Sequence, residues 1–171
     1  MRAMVLRGVC DLRVEREPLA LVGVRDPAPG PGEVLVRVAA CGVCHTDLDV
    51  IEGRTPPARL PLIPGHQVVG TVAALGAGPA PHRVGDRVGI AWINGACGVC
   101  EHCRGGRENL CADFRATGRD ADGGYAEYAV VRGEFAIPIP GAIGDVDAAP
   151  LLCAGAIGWR ALRMSGLCDG G

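Results

Sequence analysis

Four cysteines at positions 97, 100, 103 and 111, spaced C-x2-C-x2-C-x7-C, constrain this chain more than any other feature. Four thiolates so close in sequence can close a tetrahedral shell around a borderline-soft divalent ion, and zinc suits that donor set. A closed shell has no vacant position, so Cys97, Cys100, Cys103 and Cys111 are expected to staple a lobe, residues 95–115, rather than to do chemistry. A ferredoxin-type iron–sulfur run would close with a gap of three and a following proline. Here the gap is seven and Ala112 follows. Arg104 and Arg107 are placed to offset the negative charge of such a cluster. The competing reading is four free or redox-active thiols.

The rest of the composition narrows the fold. The chain has 171 residues, 49% of them apolar, enough for one domain with a real core. Aromatics make up only 4%, while Gly (27) and Pro (13) abound, a balance that suits short strands joined by many turns. The net charge is -2, all basic residues are arginine, and both signs are interspersed, so no phosphate-binding stripe is present and nucleic acid is not an expected partner. No stretch approaches the roughly 20 apolar residues that span a bilayer. The segment Met1–Arg7 reads as a first strand, not a signal peptide. Nine cysteines without a secretion signal predict a reducing cytoplasm, and metal rather than disulfides.

Strands are predicted over 12–17, 33–38, 68–75, 87–91 and 125–131, on alternation and turn punctuation. A short helix is expected just after Cys44, another near Asp145 and Asp147, and an apolar one over 153–162. His82 and His102 are read as surface or loop residues, and Cys10 and Cys168 as ordinary thiols.

A second set of soft ligands is scattered: Cys44, His66 and Cys153. Taken singly, each is more often a core or surface residue than a ligand. Pro64-Gly65 precedes His66 and a strand follows, a setting that can aim a side chain. Three mixed nitrogen and sulfur ligands would leave a fourth zinc position for water or substrate, the layout of a catalytic site.

In order, Cys44-His45-Thr46-Asp47, Pro64-Gly65-His66, Gly85-Asp86-Arg87-Val88, the cysteine lobe and Leu152-Cys153-Ala154-Gly155 resemble the zinc-containing medium-chain alcohol dehydrogenases, including the cinnamyl-alcohol-dehydrogenase-like branch. The resemblance covers nearly the whole chain. It implies a mainly β, GroES-like β-barrel catalytic domain over 1–152, with 153–171 a connector helix and the start of a nucleotide-binding domain. It implies two zinc ions per chain, with Cys44, His66 and Cys153 holding the catalytic one and Cys41 left as a structural residue. It implies a small alcohol or aldehyde as partner, NAD or NADP as hydride acceptor, and dimers or tetramers. Zinc would act as a Lewis acid on the alcohol oxygen while a hydride leaves carbon for the nicotinamide. Thr46 would bond the substrate oxygen and relay its proton, the bland reading being a helix-capping hydroxyl. Asp47 would orient His66, His45 would meet the cofactor pyrophosphate, and Trp92 would wall the substrate pocket, or else be a core aromatic.

Three positions depart from the family pattern. Gln67 stands where the family usually has Glu, which places one negative charge fewer beside the metal. Asp49 replaces the His that ends the proton relay in some relatives, so the exit path runs through Asp49 or directly through water. Ile157 replaces a Thr that touches the nicotinamide. No G-x-G-x-x-G unit between strand and helix occurs, so the dinucleotide-binding Rossmann domain is absent from these residues, and the chain is expected to be inactive alone. The alternatives are a non-enzymatic zinc-binding β-barrel remnant and a thiol-adduct (formaldehyde-type) dehydrogenase.

Overall fold

The computed structural model describes residues 1–167. A hairpin opens the chain, β1 (Arg2–Leu6) against β2 (Leu19–Gly23). Then come β3 (Glu33–Gly42), α1 (His45–Ile51), β4 (Gln67–Leu75), β5 (Arg87–Ile90) and β6 (Ile93–Gly95). The cysteine lobe carries only α2 (Glu101–Arg104) and a 3-10 turn (Glu108–Leu110). The chain continues with β7 (Arg115–Ala116), β8 (Tyr128–Arg132), β9 (Ala136–Pro138), α3 (Asp145–Ala148), a 3-10 turn (Ala149–Leu152) and α4 (Ala154–Ser165). Five strands form one antiparallel sheet in the order β8-β3-β4-β5-β9, curled into a half-barrel; β6 and β7 pair separately. The expected mainly β architecture with short helices is therefore what the chain adopts.

Alternation explains the curl. Val34 and Val36 on β3, Val68 and Val72 on β4, Val88 and Ile90 on β5, and Val131 on β8 point inward and are buried together. Each such side chain contributes about 1.5–3 kcal/mol on burial, so the valine-rich faces hold the sheet closed with few aromatics. Register shifts in the β3–β4 ladder, at Leu35/Val36 and Val38/Ala40, bend it further.

Some sequence expectations shift. Residues 12–17 are not a strand. The Asp11 carboxylate accepts the Arg13 main-chain N–H at 2.9 Å, and the Val14 and Glu15 N–H groups both donate to the Asp11 carbonyl, closing turns that compete with a ladder. The strand falls after Pro18 instead, at β2. Residues 125–127 precede β8 and bond first to β1, Met4 N–H donating to the Tyr125 carbonyl at 2.8 Å, before the chain crosses to β3. His82 lies in a loop, as expected, but not on the surface. It is buried, and its Nε2–H faces the Gly133 and Ala136 carbonyls at 3.1 and 3.0 Å, tying that loop to the start of β9. His102 lies on α2, half-buried. Cys10 packs beside Leu6 and Ile51, and Cys168 and the terminal Gly170-Gly171 lie outside the described residues. No helix among the described residues is long and apolar enough to cross a membrane.

Candidate metal centres

The sulfurs of Cys97, Cys100, Cys103 and Cys111 all lie within 4.8 Å of one another. The Cys97–Cys103 and Cys100–Cys103 sulfur separations are 3.8 and 3.5 Å. Two thiolates bound to one tetrahedral zinc at about 2.3 Å would stand about 3.8 Å apart. N–H groups aimed at sulfur shape the lobe, Cys100 N–H to Cys97 Sγ at 3.3 Å and Cys103 N–H to Cys100 Sγ at 3.5 Å. Arg104 and Arg107 are both exposed on it.

The second group is assembled by the barrel. Cys44 follows the end of β3 and is the N-cap residue of α1. His66 is delivered by a turn at the mouth of β4. Gly65 there has φ +95, and a Cβ on it would lie 2.6 Å from the Tyr125 ring, so only glycine fits. Cys153 sits between the 3-10 turn and α4. Leu152, its neighbour, plugs into the sheet over Gly89, where a Cβ would come within 2.7 Å of it. The ligand atoms of Cys44, His66 and Cys153 lie within 4.8 Å of one another, and the two sulfurs are 3.8 Å apart.

The chemistry of this trio fits a metal ion. His66 is 1% exposed, yet its Nε2 has no hydrogen-bond partner. A buried ring nitrogen without a partner is costly, and a cation between it and the two sulfurs removes that cost. Its other nitrogen, Nδ1, is 3.0 Å from Asp47 Oδ1. The second oxygen of Asp47 accepts the Cys44 N–H and the Tyr125 hydroxyl, each at 2.8 Å. Burial opposes the Asp47 charge, but the bonds from His66, Cys44 and Tyr125 bring its carboxyl below the ordinary value. Burial likewise opposes charge on His66, and Asp47 and Cys44 together outweigh it and raise the imidazole. Burial and the neighbouring Cys44 push Cys153 up to about 11. Cys44 itself is drawn down, its burial outweighed by hydrogen bonds from Thr46 and by His66. Cys41 stays out of the group and packs against Gly65 and Gly124; burial pushes its thiol up to about 12.

The other residues singled out are distributed around this group. Thr46 is half-buried in the first turn of α1. Trp92 meets the His66 ring edge-on, centroids 5.0 Å apart, with the Arg119 guanidinium 5.5 Å over its own ring. Gln67 is 1% exposed, and neither of its amide atoms finds a partner. His45 is exposed, its Nδ1 3.4 Å from Asp49, and Asp49 also receives Arg54 Nε at 2.6 Å. Ile157 is exposed on α4. A cavity of about 950 Å³ lined by Val5, Val22, Arg25 and Ile63 includes none of the trio. The sequence reading missed Tyr125; its signal is the pair of glycines before it, which let its backbone close on the His66 turn.

Residues 30–141 match the alcohol dehydrogenase GroES-like domain. The chain belongs to this family. Across 159 residues this GroES-like chain is 52% identical to a probable alcohol dehydrogenase, AdhA, of Mycobacterium tuberculosis, covering 90% of itself and 46% of that protein. It is 45% identical to an alcohol dehydrogenase of Geobacillus stearothermophilus, covering 88% of itself and 45% of the relative. Among solved structures, it superposes on a cobalt- and zinc-bound thermostable alcohol dehydrogenase of Pyrobaculum aerophilum with a TM-score of 0.87 and 32% identity, covering 99% of this chain and 50% of that one. A cinnamyl alcohol dehydrogenase of Sorghum bicolor gives a TM-score of 0.84 at 31% identity, covering 99% and 49%. The chain thus spans about half the length of the relatives it matches.

Proposed function

We propose that this chain is the catalytic half of a zinc-dependent alcohol dehydrogenase, which interconverts alcohols with aldehydes or ketones by hydride transfer to NAD or NADP. Residues 1–152 form the catalytic domain, and 153–171 lead into the nucleotide-binding part. The observation that carries the reading is the open trio of Cys44, His66 and Cys153 with an unpartnered Nε2 at its centre and a buried carboxylate behind it. α4 supports the domain division, since it buries no residue and leaves Ile157, Trp159 and Leu162 exposed.

Cys44, His66 and Cys153 would hold one zinc and the four lobe cysteines another. When bound at the trio, zinc supplies Lewis acidity toward an alcohol or carbonyl oxygen. Asp47 keeps a proton on His66 Nδ1 and so leaves Nε2 free to act as a ligand. Thr46, two residues from Cys44, would accept the hydroxyl proton of the substrate as it passes its own outward, through Asp49 or directly to water. Trp92 packs the His66 ring and limits the bulk admitted beside it. His45 and Ile157, both exposed, would meet a cofactor held mainly by sequence outside these residues.

The test is metal content by mass together with turnover. Two zinc ions per chain, with alcohol oxidation only when the nucleotide-binding sequence is joined on, is the expected result. One zinc per chain would remove the trio from the argument, and turnover by the 171 residues alone would overturn the division of labour.

A further inference from the structure

We propose that Tyr125 is a positioning residue for the open metal centre, holding Asp47 and the His66 turn in the one arrangement that aims Nε2 at the two sulfurs. The proposal rests on the reading of the trio as a metal site. Tyr125 grips that site from two directions. Its hydroxyl donates to Asp47 Oδ2 at 2.8 Å, the oxygen that also accepts the Cys44 N–H, while Oδ1 faces His66 Nδ1 at 3.0 Å. Asp47 is 2% exposed, so water has little access to replace that donor.

The second grip is through the backbone. Gly123 N–H donates to the Ile63 carbonyl at 2.7 Å, Gly124 N–H to Gly65 at 2.8 Å and Tyr125 N–H to Pro64 at 3.0 Å. These are the residues that lead into His66. A Cβ on Gly123 would come within 2.1 Å of the Gly65 carbonyl oxygen, so the two segments are in backbone contact. The Tyr125 ring then covers Gly65. Rotation of the carboxylate therefore requires breaking the Tyr125 bond, and movement of the His66 turn requires displacing the Tyr125 ring. Both motions would turn the imidazole away from Cys44 and Cys153.

Tyr125→Phe keeps the ring and removes only the hydroxyl. In the zinc-loaded 171-residue chain, chelator competition should show zinc leaving the open centre about tenfold more readily, with the four-cysteine centre unchanged as an internal reference. Cobalt placed in the open centre should show shifted ligand-field bands. Because Tyr125 acts by holding the Asp47 carboxylate toward His66, the loss should not recur in an Asp47→Asn background, where the same bond would hold an amide nitrogen toward His66 instead. Equal affinity and equal cobalt spectra in the single variant would overturn the proposal, as would equal weakening of both centres or full additivity with Asp47→Asn. If the unaltered chain binds only one metal ion, the underlying reading of the trio fails instead.

Discussion

Asp47→Asn is the sharpest perturbation of the proposed centre. The carboxylate is 2% exposed and accepts from two donors on Oδ2, with His66 Nδ1 opposite Oδ1. An amide of the same shape has one acceptor and one donor. Turned so that its oxygen keeps the Cys44 N–H and the Tyr125 hydroxyl, it presents its NH2 to His66 Nδ1. The imidazole must then accept there and carry its proton on Nε2, the atom facing the sulfurs. Turned the other way, the NH2 faces the fixed Cys44 N–H donor; the Tyr125 hydroxyl can rotate to accept, but the clash with the backbone donor makes this orientation worse. The favoured orientation therefore produces the tautomer that cannot ligate, and the metal-bound variant lacks the charge-assisted bond from Nδ1–H to the Asp47 carboxylate, about 1.5–3 kcal/mol. At 1.4 kcal/mol per decade this is roughly a ten- to hundredfold loss of zinc affinity. Chelator competition at neutral pH, with the four-cysteine lobe as reference, measures it. Undiminished affinity at the open centre would refute the tautomer argument.

The remaining predictions concern neighbouring parts of the fold. Gln67→Glu puts a carboxyl where both amide atoms lack partners at 1% exposure, so the metal-free variant should be less stable by a few kcal/mol near neutrality. The gap should narrow in acid as the carboxyl protonates, and on zinc loading; a constant gap in urea titrations would count against it. Asp120 bonds the Ala116 N–H at 2.7 Å and the Arg119 guanidinium, and these outweigh its burial to lower its carboxyl. Its stabilisation is present above the unfolded carboxylate value of about 3.9 and is lost as pH falls through the lower folded value. Asp120→Asn should therefore lower Tm at neutral pH, with the difference shrinking in acid. Stripping metal should open the lobe between Cys97 and Cys111 to proteases while the sheet, built on its own valine core, keeps its amide-exchange protection.

How far the sequence could be read depended on how far apart the cooperating residues lie. The cysteine lobe was legible because its four donors share one short segment, and spacing alone brings them together. β3 was legible from alternation, its inner face being mostly valine, and β4 from an apolar run, the first four residues of the strand all being buried. Residues 12–17 alternate too, but the Asp11 side chain closes a turn there, a competition that a count of apolar positions does not register. His82 has no sequence neighbour that explains it; its partners are the carbonyls of Gly133 and Ala136, brought near by the β5–β9 pairing.

The trio shows the same rule at its limit. Its three ligands lie on separate elements, and nothing in the spacing of 44, 66 and 153 marks them as a set without the family resemblance. What joins them is the sheet: β3 ends at Cys44, β4 begins after His66, and Gly89 on β5 seats the leucine before Cys153. A site assembled this way is only as well formed as the ladders beneath it, so its geometry reports on the fold. The lobe, by contrast, has only a four-residue helix and a 3-10 turn of its own, and would depend on an ion to hold its shape. Zinc would therefore do different work in the two places: in the lobe it would supply structure that the sequence lacks, and at the trio it would fill a position that the sheet has already prepared.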